Sequence, residues 1–314
     1  MSIPVLDASA LSNGTLEQRA EFSTKLLESL MTFGFAKLVN HPVPVPLVKE
    51  TFHQIIKFFK LPYDVKIPLR NDPRKGQQRG WSVPGEEKTW WLESNTGDIA
   101  EPQFNKQFPN VWPSESDLPG YQDTMDRFFF SCGDFTLVLL EVIARALNLC
   151  PTIFTSRCTN EASTVRINHF PLMERSKLDE GKISRIWPHK DFGIISLVFP
   201  DVTPGLEYED RSNPGTFIPM PYGSEDEVVI IVSETMERWT NGVLCAGLHR
   251  VSRPRDIEDE FVPERWSLVY FNKADRHVNV GSFKEFVTSD RPPIHKNLTA
   301  LEYQTLRNAA HYPH

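Results

Sequence analysis

The chain has 314 residues and a formal net charge of −7, with 40% hydrophobic and 24% charged residues. These values describe a globular protein with a sizeable core, and the lack of a basic stripe or of an apolar run near 18 residues argues against nucleic-acid binding and membrane spanning. The start, MSIPVLDASALSNG, has no signal-peptide pattern and the four cysteines form no CxxC pair, so we expect a reduced, cytoplasmic protein without an obligate protein partner.

The first half of the chain is predicted to be mainly helical. In GTLEQRAEFSTKLLESLMTFG, Thr15 and Gln18 have the spacing of a capping box, and Gly34 is suited to end the helix. A buried strand, FGFAKLVN, precedes a second helix, VPLVKETFHQIIKFFKLP, which should stop at Pro62. A long, mostly irregular segment then leads to GYQDTMDRFFFSCGDFTLVLLEVIARALNL, the clearest helical pattern in the chain.

From about position 160 the pattern changes to short β-like runs separated by Pro, Gly, Asn or Asp. Short strands without helical crossovers predict an antiparallel sandwich or barrel, and argue against a parallel α/β sheet. The coarse prediction is therefore helices first and a β-sandwich second, in one compact unit. The runs are STVRINHF, IISLVFP, GLEYED, EVVIIVS, GLHRVSRP, RWSLVYF and VNVGSF.

The stretch IWPHKDFG places two metal-capable side chains, His189 and Asp191, two positions apart. On a strand such residues point to one face, so they can converge on one point. Two imidazoles and one carboxylate form a face that holds Fe(II) and leaves further positions open. His249, in NGVLCAGLHRVSRP, is the candidate for the third ligand. A histidine–aspartate pair alone is more often not a metal site, so the prediction depends on its neighbours.

A second polar pair, Arg265 and Ser267, lies on one face of the strand predicted in ERWSLVYF. A guanidinium and a hydroxyl side by side are suited to binding a carboxylate, because arginine can donate two parallel hydrogen bonds. Taken alone, an ordinary arginine at a sheet edge is the simpler interpretation.

The order of these motifs resembles the isopenicillin N synthase-like group of non-haem Fe(II)/2-oxoglutarate-dependent oxygenases, over nearly the whole chain. RGWSVPGEEK is similar to the family's RGY…GxE stretch, and FFKLPYDVK to FFxLPxxEK. HKDFGIISLVFPDVTPGLEYED is similar to HTDxGxxTLLxQD…GLQV, and ERWSLVYF to the RYS box. Several matches are weak alone, but their joint order is specific, and the overall pattern looks most like fungal small-molecule oxygenases.

The resemblance implies a double-stranded β-helix, or jelly roll, flanked by helices. It implies an N-terminal non-haem dioxygenase region at 1–118 and the jelly-roll core with its long supporting helix at 119–314, as one structural unit. The implied iron ligands are His189, Asp191 and His249. The implied cofactors are Fe(II), 2-oxoglutarate and O2, with ascorbate as an aid in vitro.

The same resemblance assigns a cosubstrate site. Arg265 and Ser267 would clamp the distal carboxylate of 2-oxoglutarate, and Asn168 in RINHFP matches the asparagine of the family's RxNYYP segment. Phe170 stands where many relatives carry a tyrosine whose hydroxyl reaches that carboxylate, so this contact should be missing. SETMERW also replaces the usual NIGD stretch, and the loop RPRDIEDEFVPE is enlarged.

The substrate residues are predicted from their position alone. Arg185, just before the metal strand, is placed to direct a cation at an anionic or phenolate substrate, although a solvated loop arginine is the simpler interpretation. Arg79 and Trp81 lie in the segment that covers the pocket mouth in relatives, although tryptophans there more often fill the core. The other aromatic candidates are Trp90, Trp91, Phe192 and Phe217.

We therefore predict an Fe(II)- and 2-oxoglutarate-dependent oxygenase that oxidises an unactivated C–H bond of a small-molecule metabolite, in secondary metabolism. The outcome would be hydroxylation, desaturation, ring formation or ring expansion, with release of succinate and CO2. Two alternatives share the fold: an Fe(II) oxidase of the isopenicillin N synthase type, which uses no 2-oxoglutarate, and a non-catalytic metabolite-binding protein. A zinc hydrolase with the same ligands would leave the arginine–serine pair unexplained.

Overall fold

The structure is a computed structural model. It describes residues 2–71, 80–82, 93–97, 110–159, 162–181 and 183–311, with the backbone alone for 93–97 and 309–311. In the part of the chain that is described, no helix is long and apolar enough to cross a membrane.

The helices lie mainly at the two ends of the chain and around the long central helix. They are α1 (Ala10–Asn13), α2 (Leu16–Phe33), α3 (Val45–Lys60), α4 (Tyr63–Lys66), α5 (Tyr121–Ala146), α6 (Arg175–Asp179), α7 (Glu234–Trp239) and α8 (Ala300–His311). Single 3-10 turns are formed by Ile67–Leu69, Thr155–Arg157 and Lys284–Phe286.

The strands are short, as the spacing of the turn residues predicts. They are β1 (Val5–Asp7), β2 (Phe35–Val39), β3 (Gly80–Ser82), β4 (Glu93–Gly97), β5 (Thr164–Phe170), β6 (Met173–Glu174), β7 (Ile186–His189), β8 (Ile195–Pro200), β9 (Leu206–Glu209), β10 (Phe217–Pro219), β11 (Val228–Val232), β12 (His249–Val251), β13 (Phe261–Val262) and β14 (Arg265–Asn272).

Helix α2 begins and ends where the sequence predicts. The Thr15 hydroxyl accepts a hydrogen bond from the Gln18 backbone N–H, and the Gln18 side chain accepts one from the Thr15 N–H, which completes the capping box. Gly34 ends the helix in the left-handed conformation, with φ of 80°. Helix α3 ends at Lys60, two residues before Pro62, as expected from the missing proline N–H.

The strands form two facing sheets, which confirms the predicted jelly roll. The larger sheet has the order β1-β2-β11-β8-β14-β5-β4-β3, and the smaller has the order β10-β9-β12-β7. Pairing is antiparallel throughout these two sheets except between β1 and β2, which run parallel. Strands β13 and β6 form a separate ribbon.

Alternation along each strand gives the larger sheet two different faces. One face packs on the helices in the main hydrophobic core, to which α3 contributes Phe58, α5 contributes Phe128 and β14 contributes Leu268. The opposite face of β14 carries Val269, which joins Phe170 in a smaller cluster between the two sheets. The inner face is therefore where side chains of both sheets can meet.

The sequence prediction was wrong for VNVGSF, which forms no strand. Asn279 makes only an isolated bridge with Thr299. The neighbouring carbonyls accept side-chain hydrogen bonds instead, with Trp239 Nε1 on Asn279 O at 3.0 Å and Arg238 Nε on Val280 O at 2.8 Å. Because these two carbonyls accept hydrogen bonds from side chains, they are not available for the backbone hydrogen bonds of a regular strand pair.

The segment predicted to be mostly irregular also contributes to the sheet. Strands β3 and β4 pair with each other, and β4 pairs with β5, so they extend the larger sheet at one edge. Their sequences, GWS and ESNTG, are short and lack a strong strand pattern, and their strand form depends on the pairing of β3 with β4 and of β4 with β5. The altered stretch SETMERW forms helix α7 in place of a turn.

Gly193 lies two residues after Asp191, and it should be required for close packing of this part of the chain on β14. A Cβ added at this position would lie 2.3 Å from the backbone oxygen of Asn272, which cannot rotate away. We expect Gly193→Ala to lower the free energy of unfolding by about 1–3 kcal/mol or more, as in other overpacked sites. Urea unfolding of the metal-free protein measures this change.

The control is Gly215→Ala, because a Cβ there meets no atom within 4 Å although φ is +88°. That variant should show only the backbone strain of about 1–2 kcal/mol. A Gly193→Ala protein as stable as the unmodified protein would contradict the assigned contact.

Candidate metal centre

Two histidines are brought together by the pairing of β7 with β12. His249 lies directly opposite His189 in the antiparallel register of the smaller sheet. The ring centroids are 4.2 Å apart and the planes are inclined by 51°. The two histidines are far apart in sequence, but one cross-strand pair brings them together. This agrees with the prediction that the third ligand comes from a later strand.

Asp191 completes the cluster from just beyond the end of β7. Its Oδ1 lies 3.6 Å from His189 Nε2 and 3.9 Å from His249 Nε2. Ligand atoms of all three residues lie within 4.8 Å of one another. The predicted convergence of the three side chains is observed, but the strand ends at His189, so Asp191 points inward from a turn and not from a continuing strand.

Backbone carbonyls orient both imidazoles. His189 Nδ1 lies 3.0 Å from Trp187 O, and His249 Nδ1 lies 3.1 Å from Gly247 O. A carbonyl only accepts, so in the neutral rings each Nδ1 carries the proton and donates it. Each Nε2 is then the atom with a lone pair, and it is this atom that lies toward Asp191.

Asp191 is held by residues that local sequence patterns do not reveal. Ser196 Oγ donates to Asp191 Oδ2 at 2.6 Å, and Ser196 Oγ lies 3.2 Å from Ser233 Oγ. The backbone N–H of Glu234 donates to the Asp191 carbonyl at 2.8 Å. Ser196 and the end of β11 become neighbours only through the pairing of β8 with β11, which no short motif encodes.

The electrostatics of the cluster favour the forms that bind a divalent metal. Burial raises the pKa of Asp191, but the charge of His249, the contacts of His189 and the hydrogen bond of Ser196 outweigh it and lower the pKa to about 2. Burial and then the neighbouring His189 lower the pKa of His249 to about 4, against the attraction of Asp191. At neutral pH the aspartate is therefore ionised and His249 is neutral, as metal ligation requires.

The donor set fits a ferrous ion. Two imidazole nitrogens and one carboxylate oxygen on one side of a metal are the ligands of the facial triad, and they leave positions open for oxygen and organic ligands. Among the described residues, this is the group of three that could hold a metal. The set is poorly suited to Ca²⁺ or Mg²⁺, which prefer oxygen ligands.

A buried guanidinium lies at the start of β14. Arg265 is 2% exposed, and its Nε donates to Thr203 O at 3.2 Å. Its Nη1 has no hydrogen-bond partner among the described residues. Burial lowers the pKa of Arg265 to about 10, although the charge of Asp201 opposes this shift, so the group stays charged at neutral pH and can accept an anion as partner.

Polar residues of β5 and β14 continue from this arginine along the inner face. Ser267 lies opposite Asn168 in the sheet, and Asn168 Nδ2 donates to Ser267 Oγ at 3.0 Å. Arg166 Nε donates to Asn168 Oδ1 at 3.1 Å. Arg166 was not predicted as a site residue, although its position two residues before Asn168 on the same strand face was a usable signal.

Phe170 lies opposite Arg265 in the β5–β14 pair and is fully buried. The Arg265 guanidinium carbon lies 5.2 Å from the centre of the Phe170 ring, and that of Arg185 lies 5.8 Å from it. Arg185 is only 1% exposed. The interpretation of Arg185 as a solvated loop residue is therefore wrong, and the two predicted arginines share one aromatic neighbour.

The other substrate candidates are distributed over different environments. Phe192 follows Asp191 and is partly buried, with the guanidinium carbon of Arg307 from α8 lying 5.1 Å from its ring centre. Trp81 is buried in the core on the helical side, with the Lys66 ammonium over its ring at 4.9 Å. Phe217 is buried on β10. Arg79, Trp90 and Trp91 lie outside the described residues.

Helix α8 is linked to the metal cluster through α7. The Tyr303 hydroxyl donates to Glu234 Oε2 at 2.7 Å, and Arg307 Nε lies 2.9 Å from the same oxygen. Glu234 is the residue whose backbone N–H contacts the Asp191 carbonyl. The last helix therefore contacts both the residue that supports Asp191 and the ring of Phe192.

Comparison with known proteins decides the family. Residues 3–115 match the family described as non-haem dioxygenase in morphine synthesis N-terminal, and residues 162–274 match the 2OG-Fe(II) oxygenase superfamily. A 2-oxoglutarate-dependent dioxygenase of Aspergillus rugulosus, ecdK, is 37% identical over 99% of this chain and 100% of the relative. The chain belongs to the 2OG-Fe(II) oxygenase superfamily.

Further similar proteins agree with this membership. Proline hydroxylase buaE of Petromyces alliaceus is 32% identical, and the match covers 98% of each chain. The crystal structure of a full-length Neurospora crassa protein in complex with alpha-KG and thymine has a TM-score of 0.89 at 26% identity, covering 99% of this chain and 97% of that one. The predicted family, jelly-roll fold and cofactors are confirmed, and this superfamily member is a 2-oxoglutarate-dependent non-haem iron dioxygenase.

Ser196 should support iron binding through Asp191. Ser196→Ala removes the hydrogen bond to Oδ2, so the carboxylate loses one fixed orientation and we expect Fe(II) affinity to fall about 10–100-fold, as for other residues that orient a metal ligand. The affinity is measured by titrating the protein with Fe(II) anaerobically in a calorimeter. Ser233→Ala is the matched control, because it leaves the Ser196–Asp191 bond in place and should change affinity less. Equal Fe(II) affinity in Ser196→Ala and the unmodified protein would contradict this role.

Proposed function

We propose that His189, Asp191 and His249 are the ligands of the catalytic Fe(II). The observation that carries this proposal is their mutual approach within 4.8 Å, with both Nε2 atoms near one Asp191 oxygen. The Nδ1–carbonyl contacts support it, because metal-ligating histidines commonly donate their other ring N–H to an oxygen.

The proposed cosubstrate residues are Arg265, Ser267 and Asn168. Arg265 supplies a buried, charged donor whose Nη1 has no hydrogen-bond partner among the described residues, and this group is suited to the distal carboxylate of 2-oxoglutarate. Ser267 lies two residues along the same strand face, and Asn168 fixes its hydroxyl through the 3.0 Å hydrogen bond. Arg265 would thus anchor one end of the molecule while the other end lies at the metal.

The bound Fe(II) and 2-oxoglutarate supply oxidative decarboxylation to succinate and CO2, coupled to oxidation of a C–H bond by O2. The protein contributes orientation and the exclusion of water. Asp191 would bring the single negative charge of the ligand set, and each imidazole would coordinate through Nε2, because its Nδ1 lies against a backbone carbonyl. Because all three ligands come from one side, the opposite side stays accessible to oxygen and substrate.

The substrate is proposed to be a small-molecule metabolite of secondary metabolism, oxidised by hydroxylation, desaturation, ring formation or ring expansion. Small substrates are supported by the similar proteins, a proline hydroxylase and a Neurospora crassa protein crystallised with alpha-KG and thymine. Phe192 is proposed as part of the substrate wall, because it directly follows Asp191. Trp81 and Arg79 stay sequence predictions for this role. The packing of Trp81 in the helical core provides it with a structural role as well.

The alternatives from the sequence are less well supported. An Fe(II) oxidase without 2-oxoglutarate would use Arg265 and Ser267 for a substrate carboxylate, but the similar curated proteins are named as 2-oxoglutarate-dependent. A non-catalytic binding protein is not favoured by the same curated proteins, which are named as dioxygenases. We also propose a cytoplasmic location, which is supported by the free thiols of Cys132, Cys150, Cys158 and Cys245.

Addition of 2-oxoglutarate to the anaerobic Fe(II) protein should produce the visible charge-transfer band of the chelated complex. Exposure to O2 with a fungal metabolite extract should then release succinate together with a mass change in one small molecule. Absorption spectroscopy and mass spectrometry measure these results. Oxygen consumption that depends on substrate and not on 2-oxoglutarate would favour the oxidase, and iron binding without any turnover would favour the binding protein.

Alanine at a proposed ligand should abolish iron binding. We expect His189→Ala and Asp191→Ala each to retain less than about a tenth of the iron, because the remaining two ligands cannot hold Fe(II) against solvent. Iron per chain is measured after anaerobic reconstitution and desalting. His53→Ala, at an exposed position on α3, is the control and should bind iron normally. Full iron content in either ligand variant would refute the assignment.

A further inference from the structure

Two buried arginines meet at the inner face of the larger sheet. Arg185 lies immediately before β7, in the chain segment that enters the smaller sheet, whereas Arg265 begins β14 of the larger sheet. Both guanidinium groups face the Phe170 ring, at 5.8 and 5.2 Å from its centre. The two sheets thus bring two cations to one aromatic side chain.

Neither arginine has enough partners within the described residues. Arg185 Nη2 donates to the backbone oxygen of Pro263, but its Nε and Nη1 have no hydrogen-bond partner there. Arg265 Nη1 is also without one. Buried charged donors that lack acceptors are costly, so such groups normally face an anion or bound water.

The charges in this region do not cancel. Burial and then the positive charge of Arg265 together lower the pKa of Arg185 to about 10. The two guanidinium groups are therefore close enough to repel each other, yet both stay protonated at neutral pH. Asp201 acts on Arg265, but its Oδ2 accepts from the backbone N–H of Trp266 at 3.0 Å. The pair has an excess of positive charge that an anion would offset.

We propose that Arg185 is a second guanidinium for the distal carboxylate of 2-oxoglutarate, which it shares with Arg265. This inference rests on the proposed role of Arg265. A carboxylate has two oxygens with several lone pairs, so Arg265 Nη1 can donate to one oxygen while Arg185 Nη1 and Nε donate to the other. The sequence interpretation assigned Arg185 to the substrate, but its position beside Arg265 favours the cosubstrate.

The residue at position 170 fits this arrangement. Phe170 provides an apolar face for guanidinium stacking and has no hydroxyl to donate to a carboxylate. The distal carboxylate therefore loses one donor at this position, and Arg185 supplies a replacement from the other sheet. Arg185 is then a cosubstrate-binding residue, with no contact to the reacting atoms.

The proposal is tested by cosubstrate binding in the absence of substrate. The anaerobic Fe(II) protein is titrated with 2-oxoglutarate and with 2-oxopentanoate, which keeps the chelating end and replaces the distal carboxylate by a methyl group. We expect Arg185→Gln to weaken 2-oxoglutarate binding about 30-fold, or about 2 kcal/mol at 1.4 kcal/mol per tenfold. Binding of 2-oxopentanoate should not change. The charge-transfer band and calorimetry report both affinities.

Two other outcomes of these titrations would overturn the proposal. Unchanged 2-oxoglutarate affinity in Arg185→Gln would overturn the proposal and return Arg185 to the substrate. Equal weakening of both 2-oxo acids would overturn it too, because the effect would then come from the metal end. Arg127→Gln, at an exposed position on α5, controls for loss of one positive charge and should leave both affinities unchanged.

Two further variants separate this inference from the proposed function. Unchanged 2-oxoglutarate binding in Arg265→Gln would refute the clamp itself, whereas a loss in Arg265→Gln but not in Arg185→Gln would refute only the shared site. If Arg185→Gln does not fold, Arg185→Lys keeps the charge but offers fewer directed donors. That variant should bind 2-oxoglutarate about fivefold more weakly, and an unchanged affinity would again overturn the proposal.

Discussion

The antiparallel register between β7 and β12 sets the geometry of the metal centre. It places His249 directly opposite His189, and a shift by one residue would turn one imidazole to the other face of the smaller sheet. Asp191 can approach both rings only because the chain leaves β7 at once and turns inward. The carbonyls of Trp187 and Gly247 then fix the ring orientations. One cross-strand pair therefore determines where the proposed iron would lie.

Side chains alternate between the two faces of the larger sheet, so the residues that pack on the helices are separated from the proposed cosubstrate residues. Leu268 and Tyr270 of β14 face the helices, and the intervening positions face the smaller sheet. Arg265 and Ser267 therefore lie on the inner face, near the polar positions of β5. The helical core can stabilise the sheet without contacting the cosubstrate residues. This division explains how an apolar strand such as RWSLVYFN can also carry a charged site.

Much of the site was predictable because its residues follow strand periodicity. His249 was expected on a later strand than His189, and Arg265 and Ser267 were expected on one face of their strand; the structure brings each to the inner side. The support of Asp191 by Ser196 was not predictable, because it depends on the pairing of two separate strands. The burial of Arg185 was missed for the same reason: its neighbours come from β5 and β14 and not from its own segment.

The fold was predicted correctly in outline, but the strands at one edge of the larger sheet were not predicted. Long amphipathic helices and apolar strands carry strong periodic signals, so α2, α5 and the central strands were found. Strands β3 and β4 carry weak signals because their pairing with each other, and of β4 with β5, makes them strands, and not their composition. VNVGSF was predicted to be a strand but forms none, because its carbonyls accept hydrogen bonds from side chains of α7. No local sequence pattern indicates these contacts.

The position of β2 has a consequence for how the chain acquires its structure. In the larger sheet Leu38 pairs with Val228, about 190 residues further along, so this part of the sheet has very high contact order. During synthesis the early segment emerges long before its partner strand exists. Native assembly of this part of the sheet must therefore wait until Val228 and its neighbours have left the ribosome.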